Sequence, residues 1–442
     1  MIVTYARCER WLWYLFLATF AWQTRFIFWQ ADTSFIEWRS AALYVSDVCM
    51  LGLFLFWART LSRDAFMKMF SEYKILGVFL GIALFSFINA PSLVIGTIGV
   101  IRLIQYLLFF LYLRFHAWHR FSADMSALAV IVGAVAQALL GIAQFVLQHD
   151  VGIRWIGETL LRTDMRGVAV FYNLAGEKIL RAYGTLPHPN ILAAYLMVAL
   201  WLLAWLWVRH WSWNTRAQVV WHSTAGLLLV GMYLTFSRTI IAVWMFSAVV
   251  GAVLMFVPRF SAYVRGSSLG EIRRRLRAFF ATLVIVSVGF TALAWPLVAA
   301  RLTLSRSDEA VALRIKYTSE AIASGTGWLN INWMGVGIGN FTTWLAGYDR
   351  LLPAHLVQPV HSIYVLVYAE MGIVGLFVLL LLLWSVLKNF WKATTHQPVL
   401  RLGLGALVVS MLIIGLFDHF YWTLQQGRIL WWATLALASG KA

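Results

Sequence analysis

Runs of about 20 predominantly apolar residues follow one another along almost the whole chain, and this constrains the fold more than any other feature. A helix needs roughly 20 such residues to cross the hydrocarbon core of a bilayer. Runs of this kind begin at Trp11, Ala41, Ile75, Leu93, Ser126, Ile191, Val219, Thr239, Phe279, Ser362, Leu402 and Gln426. The expected fold is therefore an all-α integral membrane protein of about twelve transmembrane helices, one polytopic domain over residues 1–442. Only 12% of the residues are charged, against about 25% in soluble domains. The first run has a basic start but no small-residue cleavage site after it, so it is read as an uncleaved helix. Two larger polar segments, 148–190 and 301–361, are expected outside the cytoplasm. They are shorter than or close to the smallest ordinary domains, about 50 residues, and should fold as caps on the bundle.

The net charge of +17 would suit a nucleic-acid binder, but the basic residues follow the membrane instead. With a cytoplasmic N-terminus and twelve spans, Arg7 and Arg10, Arg59 to Lys74, Arg114 to Arg120, Arg209 to Arg216, Arg259 to Arg277, Lys388 to Arg401 and Lys441 all fall inside. Short basic cytoplasmic loops are what the positive-inside rule predicts, so no nucleic acid is needed to explain the charge. Cys8 and Cys49 have no ligand-type spacing to each other or to His, and support neither a disulfide framework nor a zinc site.

Polar residues inside the apolar runs need partners, because a charge at bilayer depth costs at least about 2.5–3.5 kcal/mol on insertion scales. Asp47 and Arg102 lie on helices that run in the same direction and could form a buried ion pair. Glu370, just before Met371-Gly372, reads as bundle glue or as a general acid.

Three motifs could carry chemistry. In Arg181-Ala-Tyr-Gly-Thr-Leu-Pro-His188-Pro-Asn190 the prolines set a turn, and Asn190 suits the cap of the next helix. Arg181 and His188 have no such visible duty, and a guanidinium at a helix entrance can grip phosphate with two parallel hydrogen bonds. Thr235-Phe-Ser-Arg238-Thr239 places an Arg in a tight turn, either at the bundle mouth or snorkelling to headgroups. The third region holds Arg314, the glycine series Gly335-Val-Gly-Ile-Gly-Asn340, and His361-Ser-Ile-Tyr364 leading to Glu370. The glycines lack the strand–helix context of a nucleotide fingerprint and read as a tight turn. Ser362 can cap the following helix and leave His361 facing a cavity, as a structural or a catalytic imidazole. Late in the chain, Asp418-His419 and the aromatics after it could contact glycan or could cap and anchor a helix.

Together these patterns resemble the O-antigen ligase and polymerase family of membrane glycosyltransferases. The resemblance rests on Arg181, Gly184, Thr185, Pro189, Asn190 and Ala193, on Ser237-Arg238, and on the series Gly335 to Gly339, His361, Tyr364, Glu370, Gly372 and Gly375. Ser362 departs from it, since many relatives carry Asn after the His. The resemblance implies transfer of a glycan from an undecaprenyl-diphosphate donor to a glycan or lipid acceptor. The reaction would invert the anomeric centre, use no cofactor or metal, and lie on the outer face of the cytoplasmic membrane.

The outer segments offer arginines but no Asp-x-Asp pair for a divalent cation, so guanidinium groups would neutralise the diphosphate. Arg181 and Arg314, with Arg238, are the expected diphosphate ligands, and His361 the expected base on the acceptor hydroxyl. His188, Asn190, Tyr364, Asp418 and His419 are secondary candidates. A polymerase using the same chemistry and a lipid-linked-glycan transporter are the alternatives, and membrane lipids are the expected surroundings.

Overall fold

The apolar runs form helices, but fewer of them are continuous enough to cross a membrane than their number suggests. The computed structural model describes residues 2–32, 35–210, 214–254, 269–302, 309–324, 331–353, 356–392 and 398–440. Among these residues seven helices are long and apolar enough to span: Leu93–Arg120, Ala123–Leu147, Pro189–Arg209, Thr215–Leu234, Gly270–Leu293, Ile363–Lys392 and Leu400–Phe417. Val45–Ala58 and Arg63–Glu72, bent by 119° at the break between them, make an eighth if counted as one span. The chain is thus a multi-pass, all-α membrane protein of seven or eight candidate spans, and the expectation of twelve is corrected.

The reason for the difference is visible in the backbone. The run from Trp11 is divided between a helix, Ile2–Thr19, which carries Arg7, Glu9 and Arg10, and a strand, β1 (Arg25–Gln30). The run from Ala41 begins as β2 (Ser40–Tyr44), antiparallel to β1, and leaves a helix of 14 residues. The runs from Ile75 and Thr239 give only short apolar helices, Lys74–Asn89 and Arg238–Val253. The final run gives Gln425–Ala438, 14 residues. Window hydropathy registers apolar side chains and is blind to where the backbone changes conformation.

Helix starts follow local chemistry. Ser92, Ser122 and Asn214 each accept a backbone N–H in the first turn of the helix that follows, satisfying donors that have no intrahelical partner. Pro189–Arg209 is the central post, with 94% of its apolar window buried. It packs against Ala123–Leu147, Thr215–Leu234 and Leu269–Leu293.

In segment 148–190 a small antiparallel hairpin, β3 (Val170–Tyr172) with β4 (Lys178–Leu180), stands beside a loop closed by Glu158. The Glu158 carboxylate accepts the backbone N–H groups of Val151 (2.7 Å), Gly152 (2.8 Å) and Ile153 (2.6 Å) and the amide of Gln144 (2.8 Å). The loop is thereby tied to the end of the helix before it.

The glycine series after Trp333 does more than turn the chain. Helix Ile363–Lys392 breaks at Gly372, where φ is 71° and ψ is −176°. The loop before it supplies the missing hydrogen bonds: Val336 N–H donates to Ala369 O and Gly337 N–H to Glu370 O, both at 2.9 Å, while Ile373 N–H donates to Asn332 O at 2.8 Å. The two backbones approach so closely that a Cβ at Gly335 would lie 2.1 Å from Glu370 O, and one at Gly372 would lie 2.1 Å from Trp333 O. Both positions need a residue without Cβ and with positive φ. Glu370 accepts the Trp422 indole N–H at 3.2 Å, and the backbones of Gly339 and Phe341 bear on its carboxylate. Its carboxylate joins the broken span, the glycine loop and the segment that carries Trp422.

Asp47 and Arg102 do pair, at 2.7 Å. Gln105 donates to Asp47 at 2.7 Å, the Tyr44 backbone N–H donates at 2.9 Å, and Gln425 also donates to this carboxylate. Arg102 in turn donates to Gln105 and to the Ala42 carbonyl. The pair has the extra hydrogen bonds that a buried ion pair requires.

Candidate functional site

Arg181, Ala182 and the residues to His188 run along the bundle before helix Pro189–Arg209 begins. The residue that caps this helix is His188, whose Nδ1 accepts the Asn190 N–H at 3.1 Å, with Pro189 in the first turn. This corrects the expectation that Asn190 caps it. A proline following the cap costs no hydrogen bond, because its missing N–H would have been unpaired, and the Asn190 side chain is released for another task. Its Oδ1 accepts from Arg181 Nη2 at 2.8 Å, and its Nδ2 donates to Asp418 Oδ2 at 2.7 Å. A guanidinium and a carboxylate from distant parts of the chain are thus joined through one amide.

Asp418 closes helix Pro398–Phe417, and its Oδ1 accepts the backbone N–H of His419 at 2.8 Å. His419 Nδ1 lies 2.7 Å from the Thr423 hydroxyl. Its ring meets the His361 ring edge-on at 5.1 Å and the Trp38 ring edge-on at 5.1 Å. On its other side His361 lies parallel to Tyr317, at 6.5 Å between centroids and 10° between planes. His361 Nδ1 is buried and has no hydrogen-bond partner among the described residues. Ser362 accepts the Val365 N–H at 3.5 Å, a long cap.

The arginines surround this cluster unequally. Arg181 is buried, and its Nε donates to the Thr235 carbonyl at 2.6 Å. Arg238 opens helix Arg238–Leu254, and Arg301 donates to the Phe236 carbonyl at 3.2 Å. The charges of Arg301 and Arg238 both bear on Arg181. Arg314 is exposed on helix Glu309–Ala323, and its charge bears on His361 and His419. Tyr364 stands apart, donating to the Leu412 carbonyl at 3.0 Å between two spans.

Sequence reasoning passed over three neighbours of the cluster. Trp38 and Tyr317 lie in segments without a motif, and Arg301 marked only a boundary. Nothing in the local sequence of Trp38 or Tyr317 signals their position; Arg301, a cation directly after an apolar helix, could have been noted beside Arg238.

Burial governs the electrostatics. It pushes the Arg181 guanidinium down to about 9, with Arg301 adding to the effect, which still leaves it cationic at neutral pH. It pushes the His419 imidazole down to about 3, reinforced by His361, and lowers His188 as well. His361 is also lowered, by burial first, with Asp418 opposing and Arg314 assisting. Burial alone would raise Asp418, but His419, His361, His188 and the Asn190 amide hold it below the usual carboxylate range. At neutral pH the site therefore combines neutral imidazoles, an ionised carboxylate and cationic guanidinium groups. Among the described residues no group of three or more His, Cys, Asp or Glu side chains is arranged to hold a metal ion.

In the unfolded chain each imidazole takes up a proton near about 6.5, whereas the folded site keeps His188, His361 and His419 neutral to lower pH. Below that value the unfolded state binds more protons, so stability is complete above it and declines as the pH falls. The melting temperature of the detergent-solubilised protein should drop between about pH 7 and 5, and drop less in His419→Gln. Parallel declines in the two proteins would show that the imidazole is not the cause.

No protein-family model matches the chain, and no curated protein matches it.

Proposed function

We propose that the chain transfers a glycan from an undecaprenyl-diphosphate carrier to an acceptor hydroxyl at the outer face of the cytoplasmic membrane. The observation that carries this reading is the buried, unpartnered Nδ1 of His361 within a cluster whose neutral imidazoles adjoin both a carboxylate and several arginines. A buried polar atom without a partner is rare and calls for an explanation, and a neutral imidazole has one ring nitrogen able to take a proton.

His361 takes the proton of the acceptor hydroxyl as its oxygen bonds to the anomeric carbon. The glycosidic C–O bond breaks on the opposite side, so the anomeric configuration inverts, and its electron pair leaves on the diphosphate. Arg181, Arg238 and Arg314 offset the charge that develops there. Asp418 stabilises the imidazolium that forms, and Asn190 keeps Asp418 and Arg181 in register.

The test is an incubation of purified protein with an undecaprenyl-diphosphate oligosaccharide and alternative acceptors, followed by product identification. Transfer to a lipid acceptor gives the ligase and extension of a carrier-linked glycan gives the polymerase. The break in helix Ile363–Lys392 at Gly372 favours a second reading, a transporter of the same lipid-linked glycan, because broken spans are common in secondary transporters. Movement of the donor across vesicles without formation of a new glycosidic bond would select it.

A further inference from the structure

The turn between helices Thr215–Leu234 and Arg238–Leu254 contains a backbone outlier. Phe236 follows the cap residue Thr235 with a φ of 46°, the left-handed conformation in which many helices end. Glycine or asparagine normally fills that place, and a bulky side chain there is strained. Strain of this kind persists only where the surroundings enforce it, and it collects at functional sites.

The side chain holds the conformation in place. Phe236 is buried, and its ring centroid lies 4.5 Å from that of Phe171 in β3, 5.8 Å from that of Phe145 and 6.4 Å from that of Phe290. Phe145 is near the end of helix Ala123–Leu147 and Phe290 belongs to helix Leu269–Leu293, so rings from three remote segments wedge one side chain. The backbone is tied as well: the Phe236 N–H donates to the Tyr233 carbonyl at 2.8 Å, and the Ser237 N–H to the Thr235 hydroxyl at 3.3 Å.

Three successive carbonyls of this turn are spent on the arginine segment and its neighbour. Leu234 O accepts the Ala182 N–H at 3.0 Å, Thr235 O accepts Arg181 Nε at 2.6 Å, and Phe236 O accepts Arg301 Nε at 3.2 Å. Carbonyls in a continuing helix point the same way along its axis; the left-handed residue breaks that alignment. Arg301 also stands 5.9 Å from the centroid of Phe171, the ring against which Phe236 packs most closely. Holding a guanidinium at Nε fixes the plane of its whole fork, the geometry on which phosphate recognition depends. The turn does this for two cations whose charges oppose each other. We propose that Phe236 is a positioning residue whose left-handed backbone sets the Thr235 and Phe236 carbonyls on Arg181 and Arg301 respectively, so that Arg301 joins Arg181 in holding one anion. This rests on the transferase reading, in which guanidinium groups hold the leaving diphosphate. It adds a fourth arginine and the residue that orients it.

The experiment needs neither glycan nor transfer. The full-length protein in detergent is titrated with inorganic pyrophosphate at constant ionic strength, and binding is followed by isothermal titration calorimetry. Arg301→Gln and Phe236→Gly should each raise the dissociation constant about tenfold. Combined, they should bind more tightly than the product of the separate losses predicts, because both act on one guanidinium. Phe236→Gly combined with Arg314→Gln should show the full product, since Arg314 is carried by another helix. A turn that served stability alone would give multiplied losses in both combinations. That result overturns the proposal, as does unchanged affinity in either Phe236→Gly or Arg301→Gln, or a wild type that binds no pyrophosphate. If Phe236→Gly does not fold, Phe236→Asn, which tolerates the left-handed conformation, takes its place in both combinations under the same criteria. Coupled losses in a protein that transfers nothing would remove the transferase reading and leave the role of Phe236 standing, whereas independent losses in a protein that transfers glycan would remove only that role.

Discussion

On the proposed transferase reading, replacing His361 with alanine should lower the rate of glycan transfer by about 10²–10⁴-fold, while the protein should stay folded and should keep its binding of the lipid-linked donor. The imidazole is only partly buried, and its Nδ1 makes no hydrogen bond to the protein among the described residues, so its removal breaks no polar network. In the proposed site donor binding would rest on the arginines, which are carried by other segments. The comparison that isolates the effect is single-turnover transfer beside equilibrium binding of the undecaprenyl-diphosphate oligosaccharide. A parallel loss of both would move His361 from proton transfer to binding, and retained turnover would remove it from the chemistry. Because burial lowers the His361 pKa, the acidic limb of the wild-type rate profile should lie below the ordinary imidazole value of about 6.5. Asp418→Asn should move that limb further towards acid, since the carboxylate is the group that favours the imidazolium.

The largest loss of stability is expected from Asp47→Ala, about 3–5 kcal/mol. Arg102 would remain, with a side-chain exposure of 15%, as a cation at membrane depth without its counter-ion. Gln105 and Gln425 would also lose their common acceptor. Removing both charges together, as Asp47→Leu with Arg102→Met, should recover most of the loss, because what destabilises is the orphaned charge and not the absence of the pair. Chemical unfolding in detergent measures both variants. If Asp47→Ala unfolds within about 1 kcal/mol of the wild type, water or lipid headgroups reach Arg102 and the pair is not buried in the sense proposed.

The contrast between these two residues reflects how far each was legible in the sequence. A carboxylate and a guanidinium inside apolar runs announce each other, because neither can stay unpaired at that depth, and the structure pairs them at 2.7 Å. His361 announces only a position at the start of a helix. Its neighbours His419 and Tyr317, and Trp38 on the other side of His419, come from segments far away in the chain, and no spacing rule connects them. Asn190 shows the same limit in a smaller setting. Its local sequence suits a helix cap, yet His188 takes that place and Asn190 bridges Arg181 to Asp418.

The number of spans differs from the sequence expectation for a related reason. Composition alone determined that this chain enters a membrane as helices, since 62% hydrophobic residues in long runs leave few other ways to satisfy the backbone in lipid. Composition could not locate the interruptions, because strand β1, strand β2 and the break at Gly372 are built from the same apolar residues as the helices around them. Those interruptions depend on partners: β1 on β2, and the broken carbonyls on the glycine loop. Hydrophobicity is a property of each residue and can be read along the chain. Hydrogen bonds between remote segments are properties of pairs, and only the tertiary structure decided which pairs form.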